Sequence, residues 1–404
     1  MMEPKIRLKG FCGEWKDCLY GDHIISVQTG TNLLGDVWNK GIPLLKMGNI
    51  QRGYFDFEKL EYLNEDVCPN DSSIAKYGDF FYNTRNTLEL VGKGATWMHK
   101  SGLYAFNSNI AKCVFSGIDT FFFNYLYNTN GIIKQVQARA KGTTSVAAVY
   151  LSDLKSIQLS LPTYEEQRAL ATFFTSLDNQ ISAAEKRLAS LKQVKAASLQ
   201  AMFPQEGETT PKLRFKGWEG EWKKVKLGEM YEPRNEKNDL SFGVNDIISV
   251  ANMYFRPISY VSNDDYLKSY NIFRVGDIAF EGHKSKNFSH GRFVENSIGD
   301  GIVSHVFVVL KRKDKQFDVD FWKYYINNER IMCGILTRST KSSTMMNDIV
   351  VSDFLKESIL VPSYEEQVKI GNYFTALDRQ LTAQSSKISK LKQIKSACLD
   401  QMFV

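Results

Sequence analysis

A segment of 43 residues occurs twice in this chain, at 162–204 and 362–404, and no other feature limits the possible folds so strongly. The two copies agree at 19 of 43 positions, among them Tyr164/Tyr364, Glu165-Glu166-Gln167/Glu365-Glu366-Gln367 and Met202-Phe203/Met402-Phe403. A shorter pair opens each half: PKIRLKGFCGEWK at 4–16 and PKLRFKGWEGEWK at 211–223 agree at nine of 13 positions. Two repeats of about 200 residues are too few and too long for a solenoid, so the pattern implies two related domains. With 404 residues, 43% hydrophobic and 13% aromatic, the chain has the apolar material for two cores.

The duplicated segment reads as a long helix. Leu170, Phe174, Leu177, Ile181, Leu188 and Leu191 recur at spacings of three, four and seven, and Ile370, Phe374, Leu377, Leu381, Ile388 and Leu391 repeat the stripe. At about 1.5 Å per residue such a helix runs roughly 60 Å, longer than one small domain requires, so its stripe needs a partner. The nearest match is the other copy, paired antiparallel. Thr163 and Ser363, three residues before Glu166 and Glu366, read as capping boxes. The resulting division is 1–161, a first globular domain; 162–204, a first long helix; 205–361, a second domain; and 362–404, a second long helix.

Charge is spread thinly, since each of these four segments carries a net charge of only +1 or +2. Locally the signs separate. No acid lies between Asp119 and Asp153, a stretch holding Lys134, Arg139 and Lys141, nor between Glu329 and Asp348, which enclose Arg330, Arg338 and Lys341. A third acid-free window, 282–294, holds Lys284, Lys286 and Arg292. Basic surfaces at matching places in two repeats suit a polyanion. No run of 18 apolar residues occurs, residues 1–15 carry charges where a signal peptide needs an apolar stretch, and the six cysteines show no C-x-x-C spacing. The expectation is a cytoplasmic protein with reduced thiols and no membrane partner.

The doubled P-x-x-EQ opening of a long helix, with the doubled R-x-K-G-x-x-GEW element, resembles the DNA-specificity subunit of type I restriction-modification enzymes, over the whole chain. Gly78-Asp79 and Gly276-Asp277, and Asp153-Leu154 and Asp353-Phe354 ahead of the helix prolines, add to the likeness; Lys9 and Lys216 stand where the family often has Pro. The resemblance implies an α+β fold: two globular α/β target-recognition domains separated by an antiparallel coiled coil of two long helices. It implies that each domain reads one half of a split target in double-stranded DNA, that the helices fix the gap, and that the differing domains give an asymmetric site. It further implies a non-catalytic subunit that recruits two methyltransferase subunits, which use S-adenosylmethionine on adenine N6, and two ATP- and Mg-dependent translocating endonuclease subunits. No cofactor is then expected in this chain.

Base edges are read by Arg or Lys at guanine and Asn or Gln at adenine. Four loops carry such residues: Asn83, Arg85 and Asn86; Arg139, Lys141 and Thr144; Lys284, Lys286 and Asn287; Arg338, Lys341 and Thr344. On the helices, Gln167, Asp178, Gln180, Gln367, Asp378 and Gln380 are duplicated polar residues off the apolar seam, expected to dock the methyltransferase subunits. No N-P-P-Y or D-P-P-Y methyltransferase motif, helicase P-loop or H-E-x-x-H metal spacing occurs, so no catalytic or metal residues are assigned. On the residues alone, a protein-binding adaptor, an enzyme with an unrecognised site and a specificity subunit serving a methyltransferase encoded elsewhere stay open.

Overall fold

The structure is a computed structural model that describes residues 3–143, 145–205, 207–256, 264–342 and 346–404. It divides into two compact units: residues 1–184 with 387–404, and residues 185–386.

In the first unit, a four-stranded antiparallel sheet runs in the order Ile24–Thr29, Ile110–Phe115, Phe80–Asn83, Gly94–Thr96. The strand Phe80–Asn83 is buried along its whole length because both faces of the sheet are covered. Phe80 and Tyr82 pack with Phe122, Phe123 and Tyr127 of the helix Thr120–Tyr127. Phe81, on the opposite face, packs with Leu45, Phe55, Trp97 and Phe106. Alternate residues of a strand point to opposite faces, so an aromatic run without polar alternation is the mark of a strand buried on both sides.

The second unit repeats this plan with different residues. Its sheet runs Tyr231–Pro233, Val308–Arg312, Ile278–Glu281, Arg292–Glu295 in the same order. Ile278 and Phe280 face the helix Val319–Tyr325, while Ala279 packs with Ile248, Phe273 and Val309 on the other side. In both units the first strand pairs antiparallel with the strand that precedes the long helix: Lys16–Leu19 with Gln158–Leu161, and Lys223–Lys226 with Ser358–Val361.

The long helices span Tyr164–Ala201 and Tyr364–Met402. Each unit contains the start of one and the end of the other, packed antiparallel. In the first unit Leu170, Phe174 and Leu177 join a core that includes Met402 and Phe403, with Leu391 and Leu399 packed against it. Phe403 lies 5.6 Å from Phe174, 5.6 Å from Phe122 and 6.1 Å from Trp15, ring centre to ring centre. In the second unit Ile370, Phe374 and Leu377 share a core with Met202 and Phe203, against which Leu191 and Leu199 pack. Phe203 stacks 5.7 Å from Phe374. Ile181 and Ile388 are buried, and Leu188 and Leu381 are half-buried. Compact packing therefore does not follow the sequence segments 1–161, 162–204, 205–361 and 362–404. The apolar Met-Phe end of each helix is seated in the domain core that the other helix leaves, and burying two such side chains outweighs any independence of the helical segments.

The two duplicated sequence elements meet in each unit. Arg7 donates from Nε and Nη2 to the Glu166 carboxylate at 2.8 and 2.7 Å, and Arg214 does the same to Glu366 at 2.6 and 2.7 Å. Both glutamates are buried, and each arginine is held above its usual pKa by that carboxylate. The expected capping boxes are thus half formed. The Glu166 and Glu366 amides donate to Thr163 Oγ1 and Ser363 Oγ at 3.4 and 3.3 Å, but the glutamate side chains turn to the arginines instead.

Candidate nucleic-acid interface

Two of the four predicted loops come together in each unit, both times just past the central strand. In the first unit Arg85–Asn86 pairs with Ala147–Ala148, which pairs with Lys141–Gly142, giving a short three-stranded ribbon. Gly142 has φ +131°, and a Cβ there would fall 2.3 Å from the Val146 carbonyl oxygen, so only glycine closes this turn. In the second unit the hairpin Thr340–Ser342/Asn347–Ile349 takes the same place. His283 bridges to Met346, and the Asn347 amide donates to Gly282 O at 2.8 Å. A Cβ on Gly282 would sit 2.2 Å from the carbonyl oxygen of Asn347, which again demands glycine.

These ribbons present basic side chains. Arg85 is exposed. Lys141 is also exposed; it reaches Asp153 at 2.8 Å and lies 5.8 Å from the Tyr150 ring centre. Lys284, Lys286, Asn287 and Lys341 are exposed, and Lys284 Nζ donates to Ser342 Oγ at 2.7 Å, tying the two loops together. Asn86 is half-buried and accepts from the Thr87 amide at 2.9 Å. The two-stranded hairpin of the second unit is narrow enough to enter a major groove, and in both units Arg and Lys suit guanine edges and phosphates.

Of the residues expected to touch DNA, Asn83 is buried, and Arg139 and Arg338 make local contacts within their units. Asn83 is fully buried: its Oδ1 accepts from the Lys93 amide at 3.1 Å and its Nδ2 donates to Leu90 O at 3.2 Å, closing the loop that follows the strand. Arg139 donates to Ser156 Oγ, Ser156 O and Gln135 O at 2.8, 2.8 and 2.9 Å. Arg338, at the matching helix end, holds Glu357 through Nε and Nη2 at 2.9 and 2.7 Å. Both arginines fasten a helix terminus to the loop before the closing strand. Thr144 and Thr344 lie outside the described residues.

The polar pairs on the long helices divide in the same way. Gln167 and Gln367 are buried and not on an exposed flank. Gln167 Oε1 accepts from the Asp119 amide at 2.9 Å, and Gln367 Oε1 accepts from Trp322 Nε1 at 3.0 Å; their Nε2 atoms donate to Pro162 O and Pro362 O at 3.1 and 3.2 Å. They latch each helix start to its own domain, since an unpaired amide at these depths is destabilising. Asp178 accepts from Tyr125 Oη at 2.9 Å and from Lys395 Nζ at 2.5 Å, joining the start of one long helix to the end of the other. Asp378 is matched by Tyr324 Oη and by Lys195 Nζ at 2.5 Å. Gln180 and Gln380 are exposed, and Gln180 lines an open cleft of about 860 Å³ with Arg168, Thr172, Tyr77 and Phe121.

Arg7, Arg214, Phe203 and Phe403 are not singled out by their sequence pattern as contact residues, although a signal for them is present. Each belongs to a duplicated segment, and the duplication of both members of an Arg–Glu pair marks a contact that both repeats need. Among the described residues no helix is long and apolar enough to cross a membrane.

The family model for the type I restriction modification DNA specificity domain matches this chain twice, over residues 23–193 and 219–393, and the chain belongs to that family. It is 24% identical over 391 residues to a putative type I restriction enzyme MjaX specificity subunit of Methanocaldococcus jannaschii, covering 89% of this chain and 86% of that protein. Among solved structures, the type I restriction-modification S subunit from M. genitalium superposes with a TM-score of 0.60 at 14% identity, covering 100% of this chain and 99% of the other. A chain from a study of complex assembly and conformational transition of the type I system superposes at 0.50, with 16% identity and coverage of 96% and 97%. At such identities the likeness is one of fold: an α+β chain with a doubled specificity domain and long helices packed together.

Proposed function

We propose that this chain is the non-catalytic, sequence-reading component of a type I restriction-modification complex, in which each unit reads one half of an asymmetric, bipartite duplex target. The observation that carries the reading is the basic ribbon built at the same place in two units of the same topology but different loop sequence: Arg85 and Lys141 in one, Lys284, Lys286 and Lys341 in the other. Like frames with unlike ribbons suit two different half-sites. Arg85 and Lys284 are assigned to base edges, with Lys141, Lys286, Asn287 and Lys341 on phosphates and neighbouring bases. Gln180 and Gln380, being exposed and duplicated, are the helix positions left for docking two copies of a methyltransferase subunit; two endonuclease subunits complete the complex. In this reading S-adenosylmethionine, ATP and Mg bind the partners, and the complex works in the cytoplasm. Mapping N6-methyladenine across the genome of a host carrying the chain tests it. Methylation at a two-part asymmetric motif that vanishes when the gene is deleted supports the reading, and an unchanged pattern refutes it.

A further inference from the structure

In each unit a short hairpin outside the four predicted loops is fastened to the connection that carries predicted DNA-reading residues. The register matches the two units: Phe80 faces Thr96 as Ile278 faces Glu295, and Phe80 and Ile278 each directly follow a Gly-Asp pair. The connection 84–93, with Arg85 and Asn86, is therefore the counterpart of 282–291, with Lys284, Lys286 and Asn287, and Lys93 stands where Arg292 stands.

In the first unit the hairpin turns between Ile50 and Phe55, which are bridged. Its tip is bonded to that connection and the strand after it at three points. Gln51 Oε1 accepts from Lys93 Nζ at 2.7 Å, the Arg52 guanidinium donates to Glu89 O at 3.0 Å, and the Gly53 amide donates to Gly94 O at 2.9 Å. Gln137, on the helix Asn130–Arg139 that leads into Lys141, donates to the same Glu89 O at 3.3 Å. In the second unit Ile248–Ser249 pairs with Tyr254–Phe255, Ile248 opposite Phe255. Here Arg292 makes the joint: Nη2 donates to Ala251 O at 2.9 Å, Nε donates to Glu281 Oε2 at 2.7 Å, and the guanidinium carbon lies 4.8 Å from the ring centre of Phe288. One cation thus ties the hairpin tip to both flanks of the loop Lys284–Asn287.

The two tips share a further device. A residue in the left-handed region, Gly53 at φ +85° and Met253 at φ +49°, is followed in each by a tyrosine, Tyr54 and Tyr254. A positive φ is strained for methionine and persists only where the surroundings impose it. Tyr54 is 60% exposed and Tyr254 47%, although the backbone beneath both is held by the bonds just described. From 50 to 55 and from 248 to 256 the only charged residues are Arg52 and Arg256, so neither tip repels a polyanion.

We propose, resting on the DNA-reading role given above, that Tyr54 and Tyr254 are positioning residues whose phenol hydroxyls donate to backbone phosphates of the half-site that their own unit reads. An exposed tyrosine by itself is ordinary. A neutral O–H donor at the same place in both units, on a braced tip joined to a basic loop, fits the contacts that set the register of a duplex without reading its sequence. Such a contact releases no counterions, so it strengthens binding without steepening the salt dependence.

The test is competition titration of the full chain, over a range of salt, with a duplex carrying the two-part motif that methylation mapping returns. Tyr54→Phe and Tyr254→Phe remove only a hydroxyl at exposed sites and leave the ring. Each should weaken binding severalfold, up to about tenfold, with half-site preference and salt slope unchanged; Lys141→Ala, for comparison, should flatten the slope. A photoreactive phenylalanine at position 54 should cross-link to one half-site and at position 254 to the other. Unchanged affinity in either Phe variant, altered base preference, or cross-links outside the half-sites overturns the proposal, and the DNA-reading role stands if Arg85→Ala and Lys284→Ala still weaken binding. A parent chain that binds no duplex overturns both.

Discussion

The two units use one frame and fill it with opposite chemistry. At the last residue of the second sheet strand, the first unit has Phe115, whose ring packs 5.8 Å from Tyr20, 5.9 Å from Phe80 and 4.8 Å from Phe123. The second unit has Arg312, with its guanidinium carbon 4.9, 4.7 and 4.2 Å from the ring centres of Tyr231, Phe317 and Trp322. Thr96 against Glu295 is a second such exchange. A core position can pass from apolar to charged when aromatic faces surround it and a carboxylate, here Asp314, takes the hydrogen bonds. The parts that do not vary are the Arg–Glu latch, the buried glutamine and the Met-Phe helix end. The frame is thus held by a few specific contacts, which leaves the rest of each unit free to diverge.

The likeness of the two units is most open to disproof at the helix ends. Phe403→Ala should destabilise the first unit, and Phe203→Ala the second, each by about 3–5 kcal/mol, the usual cost of emptying a packed aromatic site; denaturant unfolding followed by fluorescence measures both. Equal losses support a common frame, and a loss under about 1 kcal/mol in either unit refutes it. Arg312→Ala should cost the second unit about 3 kcal/mol or more, because Asp314 loses its partner and three ring faces lose their cation. Arg7→Ala and Arg214→Ala each leave a buried glutamate unpaired and should cost on the order of 2–4 kcal/mol, in equal measure if the latch serves both units alike. For DNA binding, Arg85→Ala and Lys284→Ala should each weaken affinity by about 1–3 kcal/mol, each relaxing preference in a different half-site, read by competition with half-site variants. Loss of preference in the same half-site for both would sink the assignment of one unit to one half.

The smallest expected effect concerns pH. Burial gives Glu295 a raised folded-state pKa, so the unfolded chain releases its proton first as pH rises. The stability penalty is absent below the unfolded value of about 4.5 and grows above it until the folded carboxyl ionises, at no more than about 1.4 kcal/mol per pH unit. Glu295→Gln should therefore gain stability relative to the parent as pH rises above the unfolded value of about 4.5, while a Thr96 variant in the first unit shows no such trend. Parallel curves for parent and Glu295→Gln would contradict it.

The duplication made the long helices legible, because a seam of Leu, Ile and Phe spaced by threes and fours, and written twice, is satisfied by little besides two helices that pack on each other. Matching acid-free windows likewise pointed to the loops that meet in the ribbons. What stayed hidden was the fate of single polar residues. Asn83, expected at a base edge, is a buried loop brace, and Gln167 and Gln367, expected on a docking surface, lie buried; Arg139 and Arg338, expected at the groove, also tie helix ends to a neighbouring loop. A polar side chain carries the same donors and acceptors in either role, and only tertiary packing decides whether backbone or solvent meets them. The short sheet strands, three to six residues each, were equally hard to place, since so few positions show little periodicity.

The seating of Met402 and Phe403 in the core that also holds Trp15 and Phe122 has a consequence for biogenesis. The first unit cannot complete its core while the ribosome is still making residues 185–386; its last core side chains arrive only after the whole of the second unit has been synthesised. A chain cut short by premature termination would lack a completed core in the first unit as well as its own tail, so the arrangement makes synthesis of the second long helix to its end a condition for having two complete units.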